Sequence, residues 1–180
     1  MYIFLHAILF DDIFNEDAKK RGKEFEPKTQ KYFENLGYSY YPNIKHIENH
    51  QEILEIDGVA VKGDIAFIIE CKNSRLLPEF ESYKAKQIMV DDLKGIVDGV
   101  KRKGNRGKIT LKQVPSLPEK IEYVKSNLKK LGLEQVSINK IFGLIITGNV
   151  PLLSNYKGIE IRKLDSISSE ELTKLIHCCS

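Results

Sequence analysis

Apolar positions along the chain follow two rhythms. From Ile13 to Leu36 they recur at helical intervals, and Gly37 is a stop signal. Pro27 interrupts that stretch. Proline suits the first turn of a helix and not its interior, so a helix starting near Pro27, with Glu26 at its mouth, and ending at Leu36 is expected; one kinked helix is the alternative. Tyr38 to Ile47 is aromatic and β-branched enough for a strand, broken by Pro42-Asn43. Ile53 to Val61 and Ile65 to Cys71 are apolar runs joined through Lys62-Gly63-Asp64, which predicts a hairpin. Ser82 to Arg102 follows a helical pattern with Ile88, Leu93, Ile96, Val97 and Val100 as its apolar side. A second helix is expected from Pro118 to Leu131, ending at Gly132, then a buried strand over Ile141 to Thr147, a strand over Gly158 to Leu164 and a closing helix over Ser169 to Ile176. That order is α/β, with a mixed central sheet flanked by helices.

The hairpin fixes a register. If Gly63-Asp64 is a two-residue turn, Lys62 faces Ile65, Asp57 faces Glu70 and Glu55 faces Lys72. Side chains alternate along a strand, so Glu55, Asp57, Glu70 and Lys72 are expected on one face at one end of the hairpin. Val59, Val61, Ala66 and Ile68 continue that face; Ile56, Ala60, Ile65, Phe67 and Ile69 line the other. A strand pair apolar on both faces is normally covered on both. Carboxylates at the end of such an element are costly to ionise alone. Three carboxylates and one ammonium leave a charge of −2, and oxygen donors with open water positions suit Mg²⁺, or Mn²⁺ in its place, over zinc. The bland reading is a set of cross-strand ion pairs on an exposed sheet, worth little. Carboxylates turned to opposite faces, or each already held by a lysine or arginine, would favour it.

The chain has 180 residues, 42% hydrophobic and 29% charged, with a formal net charge of +3. This is the size and composition of one globular domain, residues 1–180. The longest apolar run, Met1 to Phe10, is interrupted by His6 and is too short for a membrane span, which needs about 20 apolar residues. It also lacks the flanks of a secretory signal, so a cytoplasmic protein with no membrane partner is expected. Cys71, Cys178 and Cys179 are spaced for neither a disulfide framework nor a zinc site. Charge is uneven: residues 82–130 hold 13 Lys/Arg against 5 Asp/Glu. Lys101, Arg102, Lys103, Arg106 and Lys108, punctuated by Gly104 and Gly107, form an expected basic loop able to contact phosphates.

Asp57, followed after twelve residues by Glu70-Cys71-Lys72, resembles the Asp and Glu-x-Lys motif of the PD-(D/E)XK nuclease superfamily. Gly22-Lys23-Glu24-Phe25-Glu26, followed by Gly37-Tyr38, is similar to the first-helix signature of Holliday-junction resolvases and of Mrr-type and NERD-like nuclease domains. The segment from Glu55 to Val61 resembles the NERD-like group as well. The proline of the family's name is absent, Ile56 standing before Asp57. The likeness covers residues 22–73, ahead of a basic helical region (82–130) and closing strands and helix (141–176).

The resemblance implies a restriction-endonuclease-like α-β-β-β-α-β core and a Mg²⁺-dependent endonuclease acting on DNA in restriction, defence or repair. Asp57, Glu70 and the backbone carbonyl of Cys71 would hold the metal. Lys72 would position or deprotonate the attacking water, and Glu26 would hold a metal-bound water or a second ion. Glu24 is the substitute if Pro27 displaces Glu26, Glu55 an auxiliary acid, and Gln87 a helix residue returning to the site. Lys84 and Lys86 would join Lys101, Arg102, Lys103, Arg106 and Lys108 in contacting nucleic acid. A homodimer is implied, because cutting two strands takes two sites. The alternative is a catalytically silent nucleic-acid-binding module on the same fold.

Overall fold

Helix α1 (residues 23–35) runs through Pro27 and does not begin there. The run through Pro27 agrees with the single-helix alternative, and proline forfeits there one hydrogen bond, that to the carbonyl of residue 23. The helix ends as the glycine predicts. Gly37 takes a φ of 81°, its N–H donates to the Glu34 carbonyl, and the Tyr38 N–H reaches back to Phe33. The Phe33 and Tyr38 rings meet edge to face, 5.7 Å apart, completing a glycine-terminated helix end that aims the chain into the sheet. The structure is a computed structural model and describes residues 20, 23–48, 50–73, 93–105, 108–133, 137–148 and 154–178. Met1 to Phe10, the apolar run too short for a membrane span, lies outside these residues.

Strands β1 (Ser39–Glu48), β2 (Gln51–Lys62) and β3 (Ile65–Lys72) follow as an antiparallel meander. After a hairpin formed by β4 (Val100–Asn105) and β5 (Lys108–Gln113), helix α3 (Leu117–Ser126) leads to β6 (Lys140–Thr147), which pairs parallel to β3. Strands β7 (Asn155–Tyr156) and β8 (Ile159–Lys163) complete a six-stranded mixed sheet in the order β1-β2-β3-β6-β8-β7, and α4 (Ser169–Cys178) closes the described chain. The expected α/β class with a mixed sheet flanked by helices is therefore the observed one.

One short helical segment, α2 (residues 93–97), is what the described residues retain of the helix expected over Ser82 to Arg102; residues 74–92 lie outside them. The helical rhythm of Leu93, Ile96 and Val97 does not carry on to Val100. Gly99 takes a φ of 67°, the Val114 N–H donates to its carbonyl, and β4 starts at the next residue. The expected basic loop is thus a corrected assignment: Lys101, Arg102 and Lys103 stand on β4 and Lys108 on β5, paired in register from Val100 opposite Gln113 to Asn105 opposite Lys108.

Both faces of the sheet are covered, which is why its central strands are apolar on both sides. One core joins Phe25 and Phe33 of α1 and Leu172 of α4 to Ala60, Phe67, Ile69, Leu144 and Ile146. The other joins Leu117 and Val124 of α3 and Leu93 and Ile96 of α2 to Val59, Val61, Ala66, Ile68 and Ile145. Among the described residues no helix is long and apolar enough to cross a membrane.

Helix α3 is shorter than the expected Pro118 to Leu131, ending at Ser126 with Asn127 as its cap. Its start is built by a capping box: Ser116 accepts from the Glu119 N–H, and the Glu119 carboxylate accepts from the Ser116 N–H at 2.7 Å. Removing the hydroxyl with Ser116→Ala is expected to cost about 1 kcal/mol, a fall in Tm of roughly 2–4 °C by differential scanning calorimetry.

Candidate active site

The hairpin register holds for five pairs and then stops. Lys62 faces Ile65, as the turn predicts, and the ladder continues to Gly58 opposite Ile69. Beyond that point β2 pairs with β1 alone, through Ile44 opposite Ile56 and Lys45 opposite Glu55. The strands part where Asp57 stands, and the Asp57 side chain takes over from the ladder: its Oδ2 accepts the Cys71 backbone N–H at 2.7 Å. Asp57 and Glu70 are therefore neighbours across a fork between strands, not a hydrogen-bonded pair within a sheet.

The alternation along β2 slips at the same place. Val59 and Val61 belong to the α3-side core as expected, but so do Leu54 and Ile56, where strict alternation would send Ile56 to the other face with Ala60. Across the ladder, Asn43 adopts a φ of 48° beside Pro42, and Gly58 lies opposite Pro42. Gly58 is needed here because Tyr40 lies against it: a Cβ would fall 1.9 Å from the Tyr40 hydroxyl. That hydroxyl is sealed from solvent with no hydrogen-bond partner among the described residues.

Four elements meet at the fork. From β3 comes Glu70, 5% exposed, whose Oε1 accepts from the Lys120 ammonium of α3. From α1 comes Glu26, half-buried, while Glu24 is exposed. Burial pushes the Glu26 carboxyl up from its ordinary value, and the charges of Asp57 and Glu55 push it further, against the opposing pull of Lys72 and Lys45. Burial likewise raises Glu70, with Asp57 second, and Lys120 and Lys72 only partly offset the rise. Two acids on different elements thus feel Asp57 and Lys72 at once. Even with two lysines present, the site still disfavours its own negative charge.

Cys71 turns to the helical side, into the core with Phe25. Its thiol donates toward Thr29 Oγ1 at 3.6 Å, and that hydroxyl donates to the Phe25 carbonyl at 3.1 Å. Burial pushes the thiol up from 9.0 to about 12, with the Asp57 charge adding to it. The thiolate is therefore strongly disfavoured in the folded chain. In a Cys178→Ser/Cys179→Ser background, Cys71 is expected to react with a disulfide reagent far more slowly in the folded chain than in denaturant. Because the folded value lies above the unfolded one, this group's stabilising contribution is full below pH 9.0 and is lost as pH rises towards about 12.

No protein-family model matches the chain, and no curated protein matches it. Among solved structures, the chain is similar to the small subunit of the heterodimeric restriction endonuclease R.BspD6I, with 14% identity, a TM-score of 0.41, and coverage of 91% of this chain and 84% of that one. Likeness at that level decides neither a family nor a residue's role.

The site departs from expectation in three respects. Glu55 does not face Lys72; it is exposed and paired with Lys45 of β1 at 2.8 Å, because β2 has left β3 by that point. Glu70 is already met by a lysine, while Asp57 is met by a backbone N–H. Lys120 was not anticipated, although its position three residues after Leu117 and four before Val124 puts a charge in the buried stripe of α3. Lys84, Lys86, Gln87 and Arg106 lie outside the described residues. Tyr38 and Tyr40 pack in the core on the α1 side and Tyr41 against the opposite core.

Proposed function

We propose that the chain is a Mg²⁺-dependent endonuclease that hydrolyses phosphodiester bonds of DNA. The observation that carries this reading is the fork itself, where Asp57 and Glu70 approach from two strands, Glu26 from a helix, and Lys72 bears on both glutamates. Among the described residues no three His, Cys, Asp or Glu side chains form a ready-made cage. Two carboxylates are nevertheless the donor set suited to a small hard cation that keeps waters and takes phosphate oxygens as ligands. Asp57, Glu70 and the backbone carbonyl of Cys71 are the oxygens assigned to it, with Mn²⁺ able to replace Mg²⁺. A divalent cation there would polarise the phosphate and make water more acidic.

Lys72 is assigned to the attacking water and to the charge that develops on the phosphate. Glu26, with its raised affinity for a proton, is assigned to holding a water on the α1 side of the fork. The element order α1-β1-β2-β3, then α3 and a parallel β6, matches the α-β-β-β-α-β unit implied by the resemblance and supports a restriction-endonuclease-like reading. The β4–β5 ribbon, with Lys101, Arg102, Lys103 and Lys108, is assigned to the DNA backbone, where cations fix register without reading sequence. A homodimer would supply a second site for the second strand.

One observation favours a different reading, a nucleic-acid-binding module that does not cleave: Lys120 already lends Glu70 a positive charge. Incubation with linear, supercoiled and branched DNA, with Mg²⁺ and with a chelator, separates the two. The nuclease reading expects Mg²⁺-dependent nicking or linearisation. Salt-sensitive binding of the same DNA with no cleavage in any divalent metal would establish the module instead.

A further inference from the structure

Leu117, Lys120, Ile121 and Val124 fall at the spacing of the buried stripe of α3. Leu117 and Val124 are fully buried, and Lys120 between them keeps only 12% of its side chain exposed, facing a Glu70 side chain that keeps 7%. Two features hold it there. The capping box at Ser116 and Glu119 fixes the helix start at Leu117, three residues before the lysine. Gly143 of β6 lets the helix lie close on the sheet: a Cβ there would fall 3.0 Å from Ile121 Cδ1 and 3.1 Å from Leu117 Cδ2. Gly143 stands opposite Ile68 in the parallel ladder, and two residues on Ile145 stands opposite Glu70, so the same close approach delivers Lys120 to that carboxylate.

Stability does not account for a lysine at this position. A buried ion pair is commonly matched or bettered by apolar residues of similar volume, and methionine fits the stripe. What the pair does achieve is orientation. The ammonium engages Oε1 of Glu70, and among the described residues Oε2 accepts no hydrogen bond. Carboxylates that ligate metals are commonly held in this way through their second oxygen, and loss of such a partner costs metal affinity.

We propose that Lys120 is a positioning residue for Glu70, holding Oε1 and thereby fixing the carboxylate so that Oε2 is the oxygen offered to the divalent cation. The proposal rests on the metal-dependent reading above. It assigns Lys120 no contact with the scissile phosphate.

The test is calorimetric titration of Mn²⁺ into the wild-type chain, Lys120→Met and Lys120→Arg, with melting curves recorded for each. Lys120→Met is expected to weaken Mn²⁺ binding about ten- to a hundredfold. Lys120→Arg, which keeps a donor to Oε1, is expected to bind near the wild-type value. Cleavage by Lys120→Met should climb back toward wild type as Mg²⁺ is raised, because the defect is in affinity and not in turnover at saturation. Should the methionine variant fail to melt cooperatively, Lys120→Leu, which also removes the donor and suits an apolar helix stripe, is judged by the same criterion. Wild-type uptake with equal or tighter binding in the substituted chain overturns the positioning proposal and makes Lys120 a bystander or a competing counter-ion. Absence of Mn²⁺ uptake by the wild type overturns the metal reading itself, and the proposal with it.

Discussion

Asp57→Asn is expected to lower Mg²⁺-dependent DNA cleavage at least about a hundredfold while leaving the melting temperature unchanged or slightly raised. The substitution is nearly isosteric, and an asparagine carbonyl can still accept the Cys71 N–H that Asp57 accepts at 2.7 Å, so the fork keeps its shape. What disappears is one negative charge, which is what a cation needs and what the folded chain resists. Asp57 pushes both Glu26 and Glu70 up from their ordinary values. Those raised values mean that the two glutamates oppose folding increasingly as pH rises above 4.5, so relieving them favours stability at neutral pH. Loss of a preorganised electrostatic group at a reacting centre typically costs about 10²–10³ in rate. A fall in rate with a matching fall in Tm would instead make Asp57 a structural residue. Steady-state cleavage of supercoiled plasmid, paired with calorimetric melting, reads both quantities.

Gly58→Ala is expected to be the most damaging single methyl in the described sheet. The added Cβ would fall 1.9 Å from the Tyr40 hydroxyl, 2.3 Å from Cζ and 2.7 Å from Cε1. A flexible side-chain tip would step aside, but this is a rigid ring in a packed core, 6.1 Å from the ring of Phe33. Either β2 bends away from β1 or the ring is driven into α1. Overpacking of this kind costs up to about 3 kcal/mol, roughly 6–12 °C in Tm for a chain of this size. Because Gly58 adjoins Asp57, metal-dependent activity should fall along with stability. Tyr40→Leu combined with Gly58→Ala should recover part of the stability, and a strictly additive double mutant would show that the two side chains do not meet.

Much of the fold was legible because local signals and tertiary demands agree. Gly37 ends α1, Gly63-Asp64 sets the first five pairs of the β2–β3 ladder, and the unbroken apolar run of β6 marks a strand covered on both faces. The approach of Asp57 to Glu70 was legible through the same hairpin, and the roles proposed for Asp57, Glu70 and Lys72 come from its resemblance to a nuclease motif. The errors sit where one interaction overrides a repeating pattern. Extending the register to Glu55 and Lys72 assumes that backbone pairs with backbone, whereas the Asp57 carboxylate captures the Cys71 N–H and the strands separate. The basic hairpin was hidden because helical spacing from Leu93 to Val100 crosses Gly99, whose positive φ ends the helix. The counter-signal was present in the alternation of Ile109 and Leu111 after Arg106-Gly107. Lys120 is a different case: nothing in a single helix's pattern says which carboxylate a buried lysine will meet, because that depends on how closely Gly143 lets the helix lie on the sheet.

The fork at Asp57 and Glu70 is proposed to hold one divalent cation. Electron paramagnetic resonance of free Mn²⁺, titrated with the wild-type chain and with Asp57→Asn and Glu70→Gln, tests it without reference to any nucleic acid. The wild type is expected to remove about one Mn²⁺ per chain from solution, and either substitution is expected to abolish this uptake while the chain stays folded. Wild-type protein that leaves the free Mn²⁺ signal untouched, or substituted chains that deplete it equally, would show that these two carboxylates hold no cation.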